Sequence, residues 1–273
     1  MPELPEVETM RRALEAVLAA GSRQIVALRH GRVGLRRPFP RALSARVRGR
    51  TITGLARHGK YLLWNLDGLR LVNHLGMTGT WRVAAAAKPG RPHDHVVIAL
   101  DDGRHLIYHD PRRFGVLDLH PALGVHPLLA GLGPDAMDPV TCSVAHVVAC
   151  CRGRRTAIKV LLLDQRVIAG IGNIYANEAC FRAGIDPRRA AGRIAPPRLE
   201  RLLMAIRAVL TAAITAGGTT ISDYRNALGD QGWFQHDLQV YGRAGQTCRA
   251  CGRLLDQAAI GGRVTVWCRR CQR

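Results

Sequence analysis

The chain has 273 residues, of which 40 are Lys or Arg and 20 are Asp or Glu, giving a net charge of +20 at neutral pH. Self-repulsion on that scale calls for a polyanionic partner, and clustered cations that can meet phosphates make nucleic acid the leading one. An anionic membrane is the rival, but no apolar run approaches the roughly 20 residues that a spanning helix requires.

The length suffices for two domains, or for one domain with a small appendage, without a disulfide framework. Only Lys60, Lys88 and Lys159 are lysine; every other basic side chain is arginine. Coding bias accounts for most of that, yet a lysine that survives it marks a place where a compact ammonium fits and a planar guanidinium does not. The opening MPELPEVETM is acidic, unlike the basic start of a secretory signal or the acid-poor start of a mitochondrial presequence. The expected location is the bacterial cytoplasm, at the nucleoid through DNA binding.

In chain order, residues 2–20 read as an amphipathic helix with Val7, Met10, Leu14, Val17 and Leu18 on one face and Gly21 as its stop. Pro2, Glu3, Pro5 and Glu6 suit a first turn on general grounds, since proline presets φ and acids complement the helix dipole. Residues 24–120 switch to short β-rich runs, including YLLWNL, LRLVNHLGM and a hairpin HVVIAL, DDG, RHLIYHD, which predicts a β-sandwich or barrel. Residues 120–138 are rich in Pro and Gly and break both periodicities, so the linker is placed there. Helices are expected over 143–151, 156–163, 175–182 and 196–216, and a small cysteine-bearing hairpin follows from about 240. The whole is α+β in two domains: a β-sandwich over 1–125, a linker over 126–138, a helical DNA-binding domain over 139–239 and a zinc module over 240–273.

Cys248, Cys251, Cys268 and Cys271 read C-x2-C, sixteen residues, C-x2-C. That is the spacing of one structural zinc held by four thiolates, which leaves no coordination position open for catalysis. Two disulfides or spare thiols are the alternatives, and a reducing compartment disfavours them. The module carries Arg253, Arg263, Arg269 and Arg270 but little apolar mass, so zinc would rigidify a basic hairpin for phosphate contact. Cys142, Cys150, Cys151 and Cys180 lack ligand spacing and read as small buried apolar residues. In GIGNIYANEA, tight Gly turns join two helices, so that backbone amides and Asn173 can face a phosphate. A dinucleotide loop is excluded because no β-strand of a βαβ unit precedes GIG, so no nucleotide cofactor is expected.

PELPEVE, HGKYLL around Lys60, NHLGMTG around Met77, DPRRFG over 110–115, GIGNIYANEA, QVYGRAG and the terminal CRRCQ follow one another along the chain. In these motifs the sequence resembles the bacterial formamidopyrimidine-DNA glycosylase family. The resemblance implies an N-terminal β-sandwich, a helix-two-turns-helix domain and a zinc finger. It also implies a bifunctional glycosylase and abasic-site lyase that excises 8-oxoguanine and formamidopyrimidines from damaged double-stranded DNA. By it, Pro2 is the nucleophile once Met1 is removed: a secondary α-amine, with an ordinary pKa of about 8, attacks C1′ and forms an iminium that drives β,δ-elimination. With Met1 retained, that nitrogen is an amide and cannot attack. Glu3 would be the acid/base partner, Glu6 would support the site and Lys60 would grip the phosphates flanking the lesion.

The same resemblance brings Lys159 to the base pocket, its ordinary alternative being a helix-surface charge. Met77, Arg112 and Phe114 would fill the void left by the everted base. His74, Asn173, Tyr241 and Arg263 would contact DNA phosphates, and residues 217–234 would form a loop over the flipped base. Whether Thr78 touches the lesion stays open. The sister endonuclease VIII type, which takes oxidised pyrimidines, and a zinc DNA-binding homologue without chemistry are the rivals. Leu4, DPRRF and the 217–234 loop favour the purine branch, and intact Pro2, Glu3 and Lys60 favour an enzyme. One active site per chain makes a monomer sufficient.

Overall fold

The computed structural model describes residues 2–21, 23–85, 91–220 and 225–273. Met1, whose removal the chemistry requires, and Lys88 lie outside them, as do residues 221–224 of the expected loop. Two compact units result: Met1–Ala130 with Ala216–Trp233, and Gly131–Thr215 with Phe234–Arg273. No described helix is long and apolar enough to cross a membrane.

Unit 1 opens with helix α1 (Leu4–Ala19), whose buried face includes Val7, Met10, Leu14, Val17 and Leu18 as the spacing predicts. Eight strands follow: β1 (Ile25–His30), β2 (Ile52–His58), β3 (Tyr61–Leu66), β4 (Leu69–His74), β5 (Thr80–Ala84), β6 (Asp94–Leu100), β7 (His105–His109) and β8 (Val116–Pro121). They form two antiparallel four-stranded sheets, ordered β1-β6-β7-β5 and β2-β3-β4-β8. Apolar residues of both sheets, with α1, share one core, which is the sandwich expected of alternating inward side chains. Three large rings from the two sheets fill its centre: Trp64 lies 5.0 Å from Trp81, and Trp81 lies 5.1 Å from Tyr108. The predicted hairpin is β6 and β7.

Two short helices escape the sequence reading. Helix α2 (Leu43–Val47) sits inside the β-rich stretch, where Leu43 and Val47, one turn apart, are both buried; a single turn is too short for periodicity to reveal. Helix α3 (Pro127–Ala130) sits within the linker. Residues 216–233, left by sequence inside the helical segment, pack in unit 1, where Thr219 N donates to Glu6 Oε1 at 2.8 Å.

Unit 2 contains α4 (Val144–Cys151), α5 (Ile158–Leu163), α6 (Asn173–Arg182) and α7 (Pro196–Thr215), each within a residue or two of its expected bounds. Every residue from Ile174 to Cys180 is buried, which makes α6 the central helix of the unit. A hairpin of β9 (Asp256–Ile260) and β10 (Arg263–Trp267) closes the chain. Its two-residue turn is Gly261-Gly262, with φ of 59° and 70°, the left-handed pair that glycine adopts without cost.

Candidate functional site

The first turn of α1 is closed by acids. Glu3 and Glu6 form a reciprocal capping box, in which Glu3 N donates to Glu6 Oε2 at 2.8 Å. The other Glu6 oxygen accepts from Thr219 N, so one carboxylate ties the helix start to a segment more than 200 positions away in sequence. Pro2 is buried, and Glu3 and Glu6 are each 2% exposed. The sequence assigns Glu6 a supporting role; its partner, Thr219, had no signal in the sequence.

One turn further, Glu8 receives Arg11 at 2.9 Å, Arg12 at 2.8 Å and Arg57 at 3.1 Å. Burial opposes ionisation of Glu8, but the hydrogen bonds from Arg11 and Arg12 and the charges of Arg11 and Arg57 outweigh it and hold the pKa down to about 2. Arg57 Nη1 also donates to Gly59 O at 3.0 Å. Gly59, at φ 55°, and Lys60 form the turn between β2 and β3, so this network couples α1 to the Lys60 turn. The Lys60 side chain is buried at 7% exposure, not spread on a strand surface.

His74, at the end of β4, packs its ring 4.8 Å from Tyr61. Its Nδ1 accepts from Gly76 N at 3.0 Å, which leaves the proton on Nε2. Burial, then the nearby charges of Lys60 and Arg36, pull its pKa down to about 4. At neutral pH His74 can therefore offer an N–H to a phosphate as a neutral ring, without an ion pair.

Met77 lies on the loop between β4 and β5; Arg112 and Phe114 lie on the loop between β7 and β8. Asp110 joins the two loops: its Oδ1 accepts from Thr78 Oγ1 at 2.6 Å and its Oδ2 from Gly115 N at 2.8 Å, and it is fully buried. Thr78 Oγ1 in turn accepts from Arg112 N at 3.3 Å, so the threonine that sequence left open has its hydroxyl engaged inside the loop pair. The glycines serve close packing. A Cβ on Gly76, at φ 67°, would stand 2.4 Å from the Phe114 carbonyl carbon, and one on Gly79 or Gly115 would stand 2.1 or 2.0 Å from the buried Tyr108 hydroxyl. Arg112 and Phe114 are both exposed, Phe114 at 42%, with the guanidinium 4.6 Å over the ring. Asp110 stood in DPRRFG without a role; an Asp-Pro turn of this kind was the signal for it.

In unit 2 the four cysteine sulfurs all lie within 4.8 Å of one another, with Cys251 and Cys268 3.4 Å apart. A tetrahedral zinc with Zn–S near 2.3 Å needs sulfurs about 3.8 Å apart, so the donor set and spacing fit one structural zinc. Arg263, exposed, is the first residue after the Gly-Gly turn. Lys159 departs from its expected place. Its side chain is 0% exposed, and Nζ donates to Thr265 Oγ1 at 2.8 Å and points at the carbonyls of Val264 and Arg263 at 3.4 and 3.5 Å. It is neither a surface charge nor free to reach a base: a compact ammonium here can satisfy three β10 oxygens at once.

Asn173 Nδ2 likewise donates to Val264 O at 3.0 Å, inward onto β10. Two neighbours on α6 that the sequence reading passed over complete the frame. Asn177 Oδ1 accepts from Val266 N at 2.8 Å, and Glu178 accepts from the backbone N–H groups of Gln239, Val240 and Tyr241 at 2.8 to 2.9 Å. Burial raises the pKa of Glu178 against those hydrogen bonds. Tyr241 is thus positioned through its backbone. Cys142, Cys151 and Cys180 are buried and Cys150 partly so. Burial pushes the thiols up, Cys180 to about 12, so these thiols are not activated nucleophiles.

Residues 1–117 match the N-terminal domain of formamidopyrimidine-DNA glycosylase, 132–225 its H2TH domain, and 245–273 a zinc finger found in FPG and IleRS. The chain is 47% identical over 273 residues to a formamidopyrimidine-DNA glycosylase of Stenotrophomonas maltophilia, and 46% over 275 residues to one of Methylococcus capsulatus, covering all of each. Among solved structures it is similar to the MutM (Fpg) protein of Thermus thermophilus, with a TM-score of 0.88, 39% identity and 99% and 98% of the two chains covered. The Lactococcus lactis Fpg in complex with DNA containing an abasic site gives a TM-score of 0.89, 34% identity and 100% coverage of both chains.

Proposed function

The chain belongs to the formamidopyrimidine-DNA glycosylase family and is a DNA glycosylase of base excision repair, and from that premise we propose that it excises oxidised purines and cleaves the resulting abasic site through Pro2. The observation that carries this reading is the start of α1, where Pro2 and Glu3 are buried and clamped through Glu6 to Thr219. A chain end held this way meets the positional demand of a nucleophile.

After Met1 is removed, the Pro2 nitrogen attacks C1′ as the glycosidic bond breaks and the base leaves. The product is an iminium that withdraws electrons from the sugar, so the 3′ and then the 5′ phosphate can be eliminated. Glu3 relays the proton at the sugar ring oxygen. Lys60 and neutral His74 bind flanking phosphates, as do Asn173, Tyr241 and Arg263. Met77, Arg112 and Phe114 fill the void in the duplex. Lys159 acts through β10, beneath Arg263. Zinc, held by the four cysteines, supplies rigidity and no chemistry. The domain division is read as a sandwich over 1–125, a linker over 126–138, a helix-two-turns-helix segment over 139–239 and a zinc module over 240–273. We place the protein as a monomer at the bacterial nucleoid, needing no nucleotide cofactor.

One relative, the Lactococcus lactis Fpg, has been solved with DNA containing an oxidised pyrimidine as well as with Fapy-dG DNA, so the pyrimidine reading is tested in parallel. Borohydride trapping on an 8-oxoguanine:cytosine duplex should give a covalent adduct that maps to Pro2, and stronger trapping than on a dihydrothymine duplex. A form with an uncleaved N-terminal extension, in which the Pro2 nitrogen is an amide, should give none. Adduct from that blocked form would overturn the nucleophile, and adduct on the pyrimidine duplex alone would transfer the assignment to the endonuclease VIII type.

A further inference from the structure

Arg113 stands between Arg112 and Phe114 and behaves unlike either. Its backbone is left-handed, with φ of 53°, a conformation that residues bearing a β-carbon rarely adopt. Its side chain is half-buried where its two neighbours are exposed. Nη1 donates to Val33 O at 3.0 Å and to Gly34 O at 2.9 Å. The segment that receives it is tightly folded: a Cβ on Gly34 would stand 2.4 Å from Arg37 O and 2.7 Å from Pro38 Cα. From the same segment, Arg36 N donates to Gly115 O at 3.0 Å. The 110–115 loop is therefore gripped on two sides, by Asp110 within and by residues 33–36 beyond.

We infer that Arg113 is a positioning residue for lesion extrusion. Its left-handed backbone turns Arg112 and Phe114 outward on either side of it, and its guanidinium braces their loop so that the pair resists the stacking that draws an everted base back. The inference rests on the reading of Arg112 and Phe114 as void-filling residues. A wedge works only if the loop beneath it does not yield, because eversion is uphill by the cost of unstacking. The planar guanidinium suits two adjacent carbonyls, a geometry that a lysine ammonium reproduces poorly.

The test is single-turnover kinetics at saturating enzyme on two substrates: 8-oxoguanine opposite cytosine, and a preformed abasic site, which has no base to unstack. Arg113→Gly removes the brace without adding strain, since glycine takes the left-handed backbone freely. Base excision should slow by about tenfold to a hundredfold, while abasic-site cleavage stays within about twofold of wild type. Arg113→Lys should show the same split with only partial recovery, and it decides the matter alone if R113G does not fold. Equal losses on both substrates would reduce Arg113 to scaffold. No loss on either, or full rescue by lysine, would remove the brace from the account. A wild type inactive on both would instead strike the glycosylase reading, and this inference with it.

Discussion

Unit 1 and unit 2 hold their candidate DNA-facing residues by opposite electrostatic means. In unit 1 the anchors are buried carboxylates that accept from backbone and guanidinium donors: Glu6 for the chain start, Glu8 for the Lys60 turn and Asp110 for the loops of Met77, Arg112 and Phe114. In unit 2 the exposed Arg263 rides on a hairpin fastened by four metal-ligating thiols at its base and by the Lys159 ammonium and the Asn173 and Asn177 amides along β10. The physical reason is size. Loops on a sandwich sit over a large apolar core and need only short polar ties, whereas a hairpin of five-residue strands with mostly exposed β9 residues cannot stand on apolar burial and needs a cross-link.

The comparison breaks most clearly under chelation. Structural zinc contributes on the order of 10 kcal/mol to folding of small zinc modules, so removing it should unfold the hairpin and lower duplex affinity more than tenfold. Unit 1 should stay folded, as followed by amide exchange across β3 and β7. Unchanged affinity in protein of verified zero zinc content would mean the hairpin stands without metal.

Acid should act on unit 1 through His74. Its folded pKa, about 4, lies below the usual 6.5, so the unfolded state binds more protons between those values. The stabilisation present above pH 6.5 is therefore lost as pH falls toward 4, by up to about 3 kcal/mol. Denaturant midpoints across that window should slope downward in wild type and flatten in His74→Gln; parallel slopes would contradict the assignment. Glu8 adds a second window, in which stability is lost as pH falls from 4.5 toward about 2.

The smallest effect, and the sharpest for unit 2, is expected from Lys159→Met. It fills similar volume but leaves the Thr265 hydroxyl and two β10 carbonyls without their ammonium, at a cost of roughly 1–3 kcal/mol. Duplex affinity should weaken while borohydride trapping at saturating protein persists. Loss of trapping with stability intact would restore Lys159 to the base pocket.

Much of this was legible in the residues. The 3.6-residue spacing of α1, the β-rich runs of the sandwich, the helices of unit 2 and the cysteine spacing each follow from local pattern, and local pattern is what short-range physics writes into sequence. The short helices α2 and α3 were not legible, because one turn is too brief for a period. Lys159 was misread because nothing local separates a helix lysine that faces water from one that faces three oxygens supplied a hundred positions later.

The sequence by itself determined the fold class, the charge that calls for a polyanion, the zinc ligands and the family. Tertiary structure alone decided which polar side chains turn inward. Glu6 meets Thr219, Asp110 meets Thr78, Arg113 meets Val33 and Gly34, and Lys159 meets Thr265. Each of these pairs satisfies a polar group withdrawn from water, and a partner for such a group is chosen by proximity in the folded chain, which no local pattern encodes.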